Sequence, residues 1–306
     1  MISIVCSLYR SELHIREFYE RILKIVHSHH LNYEFVFVID GCPSKSLQTS
    51  LQLRQNDPQI RILELSRNFG HHRAMMVGLQ ASRGEVVYLT DVDLEEPPEI
   101  LDLLLKEKTQ FPENDVIYGL SPQRKGRWSE KFLGAIFYRL FNSLSSIEVP
   151  TGALVSRLMN RNYVNALIEF QERELYIPGI WELAGFQQKG VIAQKISRPH
   201  PSTYSFKKKL FLAVNALTSF SDRPLWLIFF LGLIVTFISF ALGLYFLVER
   251  LRGHIQVPGW ASVIVVLFFL SGLIIFSIGT CAVYISKIFI EVKNRPYKII
   301  KRIYEG

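Results

Sequence analysis

The chain has only three cysteines, Cys6, Cys42 and Cys281, and their spacing matches neither a zinc site nor a disulfide framework. That usage fits a reducing compartment. No G-x-G-x-x-G follows the first apolar segment, where Ser7-Leu8-Tyr9-Arg10-Ser11 stands instead, and no G-x-x-x-x-G-K-[ST] occurs anywhere. A dinucleotide oxidoreductase and a P-loop enzyme therefore lose their main sequence support. No nucleic-acid module is recognisable. The net charge of +8 and isoelectric point of about 9.3 have a simpler account. Many basic residues flank long apolar runs, where they would meet anionic lipid. A lipid bilayer is thus an expected partner, and nucleic acid is not.

What the chain does have is alternation. Ile2–Leu8, Tyr33–Ile39, Ile60–Leu65, Glu85–Thr90 and Val116–Gly119 read as short apolar strands. Helical patterns separate them near Leu13–Val26, Lys45–Arg54, His72–Ala81 and Glu99–Lys108. This order predicts an α/β fold with a mostly parallel sheet covered on both faces. Ligands bind such sheets beyond the carboxyl ends of the strands. Asp40, Arg67 and the Asp91–Glu95 cluster all fall at those ends.

Asp91-Val92-Asp93 ends the fourth strand and runs into Leu94-Glu95-Glu96-Pro97-Pro98-Glu99. Two carboxylates one residue apart can leave the pleat together and share one hard cation, Mg²⁺ or Mn²⁺, which substrate phosphates usually complete. Alone the pair is a weak signal. Taken alone, it is better accounted for by a solvated helix start, with Pro97-Pro98 in the first turn and Glu99 favoured by the helix dipole. Three polar stations at one sheet edge favour a nucleotide site.

Leu65-Ser66-Arg67-Asn68-Phe69-Gly70-His71-His72, the Asp91–Glu99 run and Thr218-Ser219-Phe220-Ser221-Asp222-Arg223-Pro224 together resemble the family 2 glycosyltransferases that act on polyisoprenyl phosphates. Dolichyl-phosphate mannose synthase and bactoprenol glucosyltransferases belong to that group. The resemblance spans nearly the whole chain. It implies a GT-A (Rossmann-like) fold, a nucleotide-sugar donor (a UDP-sugar, as in bacterial relatives of this layout), Mg²⁺ or Mn²⁺, and a polyprenyl phosphate acceptor. Mapped residue by residue, it implies metal ligation by Asp91, Asp93 and Glu95, where the family usually has Gln at the last position. It implies donor binding by Tyr9, Asp40, Arg67, Ser202 and Tyr204, and catalytic roles for Asp93, Arg157 and Arg198. The family's Asn-Glu after Tyr9 is absent, as is one acid of the pair before Gly41. Val155 stands where many relatives carry Asp.

Charged residues make up 20% of the chain, yet mean hydropathy is +0.19, so the apolar part is local. Leu225–Val248 and Ala261–Ser286 carry no charge, and each is long enough to cross a hydrocarbon core of ~30 Å. Both lie near the C-terminus, which does not suit a signal peptide. Lys207, Lys208, Lys209 and Arg223 precede the first run. Lys287, Lys293, Arg295, Lys298, Lys301 and Arg302 follow the second, and the loop between holds only Arg250 and Arg252. The positive-inside rule places both ends in the cytoplasm and the loop outside. The expected organisation is a cytoplasmic GT-A domain over 1–204, a juxtamembrane amphipathic segment over 205–224, a transmembrane hairpin over 225–286, and a basic tail over 287–306 lying along the membrane. The setting is the inner (plasma) membrane.

Phe132, Leu133, Ile136, Phe137, Leu140, Phe141 and Leu144 recur at helical spacing. This stripe either packs on the sheet or lies in the headgroup layer. Arg124, Lys125 and Arg127 form either a phosphate clamp or a solvated basic loop. Gly272, Ser277 and Gly279 permit close helix packing, and so a homo-oligomer.

A sugar hydroxyl acceptor needs a positioned base, whereas a lipid phosphate is already anionic. Val155 in place of an acid suits the phosphate, and Arg157 is either a phosphate ligand or a surface ion-pair partner. Three alternatives remain open. A processive synthase would add Gln-x-x-Arg-Trp and more spans, and neither is present. A non-catalytic membrane adaptor with a degenerate domain accommodates the departures at Tyr9, Asp40 and Val155. A transferase acting on a hydroxyl acceptor would need a base that no motif identifies.

Overall fold

The computed structural model describes residues 1–121, 150–173, 175–195, 218, 221–252 and 259–305. They fall into two units. One carries the sheet and takes in the C-terminal segment from Asn294 onward, and the other carries two long apolar helices.

In the first unit the strands are β1 (Ile2–Leu8), β2 (Tyr33–Ile39), β3 (Ile60–Leu65), β4 (Val86–Leu89), β5 (Val116–Leu120), β6 (Ala153–Asn160), β7 (Gln188–Ile192) and β8 (Ile300–Tyr304). The helices are α1 (Ile15–Ser28), α2 (Ser46–Asn56), α3 (His71–Ala81), α4 (Ile100–Gln110), α5 (Arg161–Glu169) and α6 (Ile177–Leu183). One sheet runs β7-β5-β6-β4-β1-β2-β3-β8. Strands β1 to β4 are mutually parallel, with Ile2 opposite Tyr33 and Val86. The chain moves from β1 to β2 on one side, but β4 docks on the other side of β1. A crevice therefore opens between the carboxyl ends of β1 and β4.

Central strands in such a sheet are covered on both faces and read as continuous apolar runs. Ile4, Val5, Cys6, Val36, Phe37 and Val38 are all fully buried. Helix α1 contributes Ile15, Phe18, Ile22 and Val26, at the spacing of a single helical face. Each fully buried Ile, Val or Phe contributes roughly 1.5–3 kcal/mol.

Three strands, β6, β7 and β8, lie beyond the five expected from the sequence, and β7 pairs parallel to β5. The run at 153–160 was not expected as a strand, yet β6 inserts antiparallel between β4 and β5. The tail was expected along the membrane, yet Ile300–Tyr304 forms β8, antiparallel to β3. It covers an edge whose backbone N–H and C=O groups would otherwise be open to another chain. Lys301 reaches Glu64 at 2.5 Å and the Tyr304 hydroxyl donates to Glu64 at 3.0 Å. Glu305 accepts from Arg61 and Arg83, each at 3.1 Å.

The second unit holds α7 (Arg223–Leu251) and α8 (Trp260–Lys293). Windows at Arg223–Leu242 and Val266–Lys293 have mean hydropathies of 2.6 and 2.4. Among the described residues these two helices are long and apolar enough to cross a membrane. Their large side chains, Phe237, Phe240, Phe268 and Ile275 among them, are exposed. Near the start of α7, Asp222 accepts from the Trp226 indole at 3.2 Å, and the Ser221 carbonyl accepts from Tyr284 at 2.7 Å.

Arg198, Ser202 and Tyr204 lie outside the described residues. So do Arg124, Lys125 and Arg127, the Phe132–Leu144 stripe and most of 205–220.

Candidate active site at the carboxyl ends of the strands

The second strand delivers Asp40 to a buried position, where Oδ1 accepts the Phe69 N–H at 2.7 Å and Oδ2 the Gly70 N–H at 3.0 Å. Gly41 follows with φ +55°. A Cβ there would lie 2.0 Å from the Arg67 carbonyl carbon, so only glycine permits this approach. Burial raises the Asp40 pKa, opposed by these two hydrogen bonds and by Arg67 and Arg73. Expected to bind the donor, Asp40 also uses both its oxygens to clamp the 66–70 loop. Arg67 on that loop stays exposed, its guanidinium 4.1 Å from the Phe69 ring centre.

Gly70, at φ +101°, turns the chain into α3. His71 then sits at the crevice, with Nδ1 2.8 Å from Ser7 Oγ on β1 and Nε2 3.4 Å from Asp91 Oδ1. Although 46% of its side chain is accessible, the crevice walls and His72 lower its pKa to about 4, so it is neutral near pH 7. His72 is committed elsewhere, its Nδ1–H donating to the Leu175 carbonyl at 3.2 Å. Arg73 donates to the Phe69 and Arg173 carbonyls.

The short fourth strand ends at Leu89, and the acidic loop begins two residues later. Asp91 is 23% accessible. Burial, followed by the charges of Glu96 and Asp93, pushes its carboxyl up to about 8, with Lys195 opposing. Asp93 Oδ1 accepts the Glu95 N–H at 3.0 Å, across Leu94 at φ +60°. A leucine in that region is strained backbone, which clusters at functional sites. Glu95 pairs with Lys195 at 3.0 Å. Expected as a third metal ligand, Glu95 here shares its carboxylate with this lysine.

Glu96, a residue the sequence reading missed, is 4% accessible and accepts from Val155 N (3.1 Å), Ser156 N (2.8 Å) and Ser156 Oγ (2.6 Å). It pins the acidic loop to β6. Nothing in the sequence separates it from Glu95, since its donors lie about sixty residues away.

A divalent cation fits this loop. Asp91 and Asp93 are oxygen donors, and the raised Asp91 pKa marks a place where positive charge is favoured. Among the described residues no three acidic, histidine or cysteine side chains group to hold a metal. Two carboxylates, with donor phosphates and water completing the sphere, is a usual Mg²⁺ arrangement.

Arg157 also departs from expectation. Expected as a catalytic phosphate ligand, with a surface ion pair as the alternative, it lies instead on β6 opposite Leu89, 1% accessible. Its guanidinium lies 3.1 Å from the Trp181 ring centre, and its Nε and Nη1 have no hydrogen-bond partner among the described residues. Burial lowers its pKa to about 10, opposed by Tyr163 and Glu182. Such a side chain holds α6 on the sheet.

Tyr9 remains exposed at the end of β1. Three residues on, the Glu12 carboxylate accepts from Ser44 (2.6 Å) and Ser46 (3.1 Å). Ser44 first, with Ser46 and Arg10, lowers its pKa.

A sequence profile for glycosyl transferase family 2 matches residues 3–168. A Mycobacterium tuberculosis protein described as "Putative glycosyltransferases" is 41% identical over 303 residues, covering 99% of this chain and 88% of its own. The SfII prophage-derived bactoprenol glucosyl transferase of Shigella flexneri is 32% identical, covering 100% of this chain and 99% of its own. Among solved structures, the mannosyltransferase PcManGT of Pyrobaculum calidifontis, in complex with GDP-Man and Mn²⁺, is 13% identical. The match covers 96% of this chain and 86% of that one, with a TM-score of 0.47.

Proposed function

The chain belongs to glycosyltransferase family 2, and we propose that it transfers a sugar from a UDP-sugar to a polyprenyl phosphate, with inversion. The observation that carries this reading is the acidic loop itself. Asp91 and Asp93 stand at the crevice between β1 and β4, on a loop that Glu96 locks to β6.

Asp91 and Asp93 would hold Mg²⁺ or Mn²⁺, which supplies positive charge to the donor diphosphate. Arg67, exposed on the clamped 66–70 loop, and Tyr9, exposed after β1, would face the donor. Asp40 positions Arg67. Arg198, Ser202 and Tyr204 keep their proposed roles at the diphosphate and acceptor phosphate. An oxygen of the lipid phosphate attacks the anomeric carbon, the carbon–oxygen bond to the diphosphate breaks, and UDP leaves. The acceptor oxygen carries no proton to remove, so the valine at 155 is no handicap. The Shigella relative is named for bactoprenol, which supports a polyprenyl acceptor.

The chain leaves the sheet unit before α7 and rejoins it after α8, as β8. Two crossings meet that requirement, and the basic residues on both flanks favour the cytoplasmic side of the plasma membrane. The product would serve as a membrane-borne donor for envelope glycan or lipopolysaccharide.

The test is incubation of the purified protein with undecaprenyl phosphate, Mn²⁺ and a panel of nucleotide sugars, followed by mass spectrometry of the lipid. One added sugar residue is expected, and lost on chelation. An unmodified lipid with every donor would overturn the reading and favour a non-catalytic adaptor.

A further inference from the structure

Nothing in the transfer chemistry above uses His71, yet its position is set with care. Asp40 fixes the Phe69 and Gly70 amides, and the positive φ of Gly70 starts α3 at His71. That start places the imidazole between β1 and the loop after β4, the two sides of the crevice. Nδ1 is 2.8 Å from Ser7 Oγ, and Nε2 is 3.4 Å from Asp91 Oδ1. With Asp91 ionised beside a cation, one tautomer suits both contacts: the Ser7 hydroxyl would donate to Nδ1, and Nε2 would carry its proton on the side of Asp91 Oδ1, at an ion-pair distance.

We propose that Ser7 and His71 form a positioning relay that holds Asp91 Oδ1 and leaves Oδ2 for the cation. The proposal rests on the reading that Asp91 and Asp93 hold a divalent cation. His71 is then a positioning residue and not a ligand. In that tautomer Nδ1 has its lone pair occupied by Ser7, and Nε2 carries the proton on the side of Asp91. Hard cations bound with a diphosphate also prefer oxygen. His72 cannot substitute, because its Nδ1–H is given to the Leu175 carbonyl and its ring lies against Tyr176. Removing a partner that orients a metal ligand typically costs 10–100-fold in metal affinity.

The test uses the full-length protein in detergent, with Mn²⁺ as probe, alone and with UDP. Electron paramagnetic resonance of free Mn²⁺ gives the affinity. His71→Ala should weaken Mn²⁺ binding about 10–100-fold. His71→Gln, whose amide N–H can reach Asp91, should recover most of that loss. Ser7→Ala removes a single oxygen and should weaken binding by a smaller factor, which keeps the test alive if His71→Ala fails to fold. Pulsed resonance on the wild type should show no directly coordinated nitrogen. Unchanged affinity in both His71→Ala and Ser7→Ala would overturn the relay. So would a coordinated-nitrogen signal that His71→Ala abolishes, since His71 would then be a ligand. A wild type that transfers sugar yet binds no Mn²⁺ would instead overturn the cation reading, and the relay with it.

Discussion

The Glu96 carboxylate accepts both the backbone N–H of Ser156, at 2.8 Å, and its hydroxyl, at 2.6 Å. With the Val155 N–H as a third donor, this acid fastens the loop that carries Asp91 and Asp93 to an antiparallel strand. Its neighbour Glu95 pairs with the partly exposed Lys195 at 3.0 Å. Two adjacent glutamates thus have different duties, one holding the loop in place and one pairing a lysine.

Substitution separates them. Glu96→Gln turns an amide N–H toward at least one donor and leaves buried groups unsatisfied, a cost of about 1–3 kcal/mol. Thermal melting should fall by several degrees, and transfer should drop at least tenfold as Asp91 and Asp93 lose their register. Glu95→Gln breaks only a partly exposed pair, worth about 0–1 kcal/mol, and should leave melting and turnover within a few-fold of the wild type. Equal effects of the two changes would contradict the assignment.

Asp40→Asn keeps one acceptor oxygen and presents an amide N–H to the other backbone donor. The 66–70 loop should loosen. Hydrogen exchange at the Phe69 and Gly70 amides should accelerate at least tenfold, and the donor KM should rise more than kcat falls. A change in kcat alone, with exchange unaltered, would point to direct chemistry by Asp40.

Removing residues 295–306 uncovers the β3 edge and deletes the partners of Glu64, Arg61 and Arg83. The same edge leads into the 66–70 loop, where Ser66 N–H donates to the Ile299 carbonyl at 3.0 Å. The truncated protein should melt lower and aggregate sooner, as exposed edges invite pairing. Light scattering during a thermal ramp reads both effects. An unchanged profile would mean that β8 contributes nothing to the sheet.

A reporter fused after Gly306 should report cytoplasm, and one inserted at Gly253 the outside. The charge asymmetry motivates this expectation, and the return of the chain as β8 is compatible with it. A cytoplasmic signal at Gly253 would mean that α7 and α8 do not cross the membrane.

The parallel core was legible because β1 and β2 are nearly continuous apolar runs, a pattern that burial on both faces demands. Asp91, Asp93 and Arg67 were legible for a related reason, since the ends of such strands are where polar residues gather. What sequence did not disclose depends on distant partners. Strand β8 is basic and short, and its acceptor Glu64 lies 237 residues from Lys301. Arg157 reads as a phosphate ligand or a surface cation until β6 turns it under Trp181. Asp40 reads as a ligand residue, and its clamp on the Phe69 and Gly70 amides shows only in the fold.

The central claim is that a lipid phosphate is the acceptor and that Asp91 and Asp93 serve its glycosylation. The most direct measurement is a parallel assay of wild type and Asp93→Asn with undecaprenyl phosphate and with undecaprenol, scored by lipid mass. The account predicts a glycosylated lipid from wild type with the phosphate alone. Asp93→Asn should remain folded and give no product, even at saturating Mn²⁺. Efficient glycosylation of the alcohol, or near-normal turnover by Asp93→Asn, would contradict it.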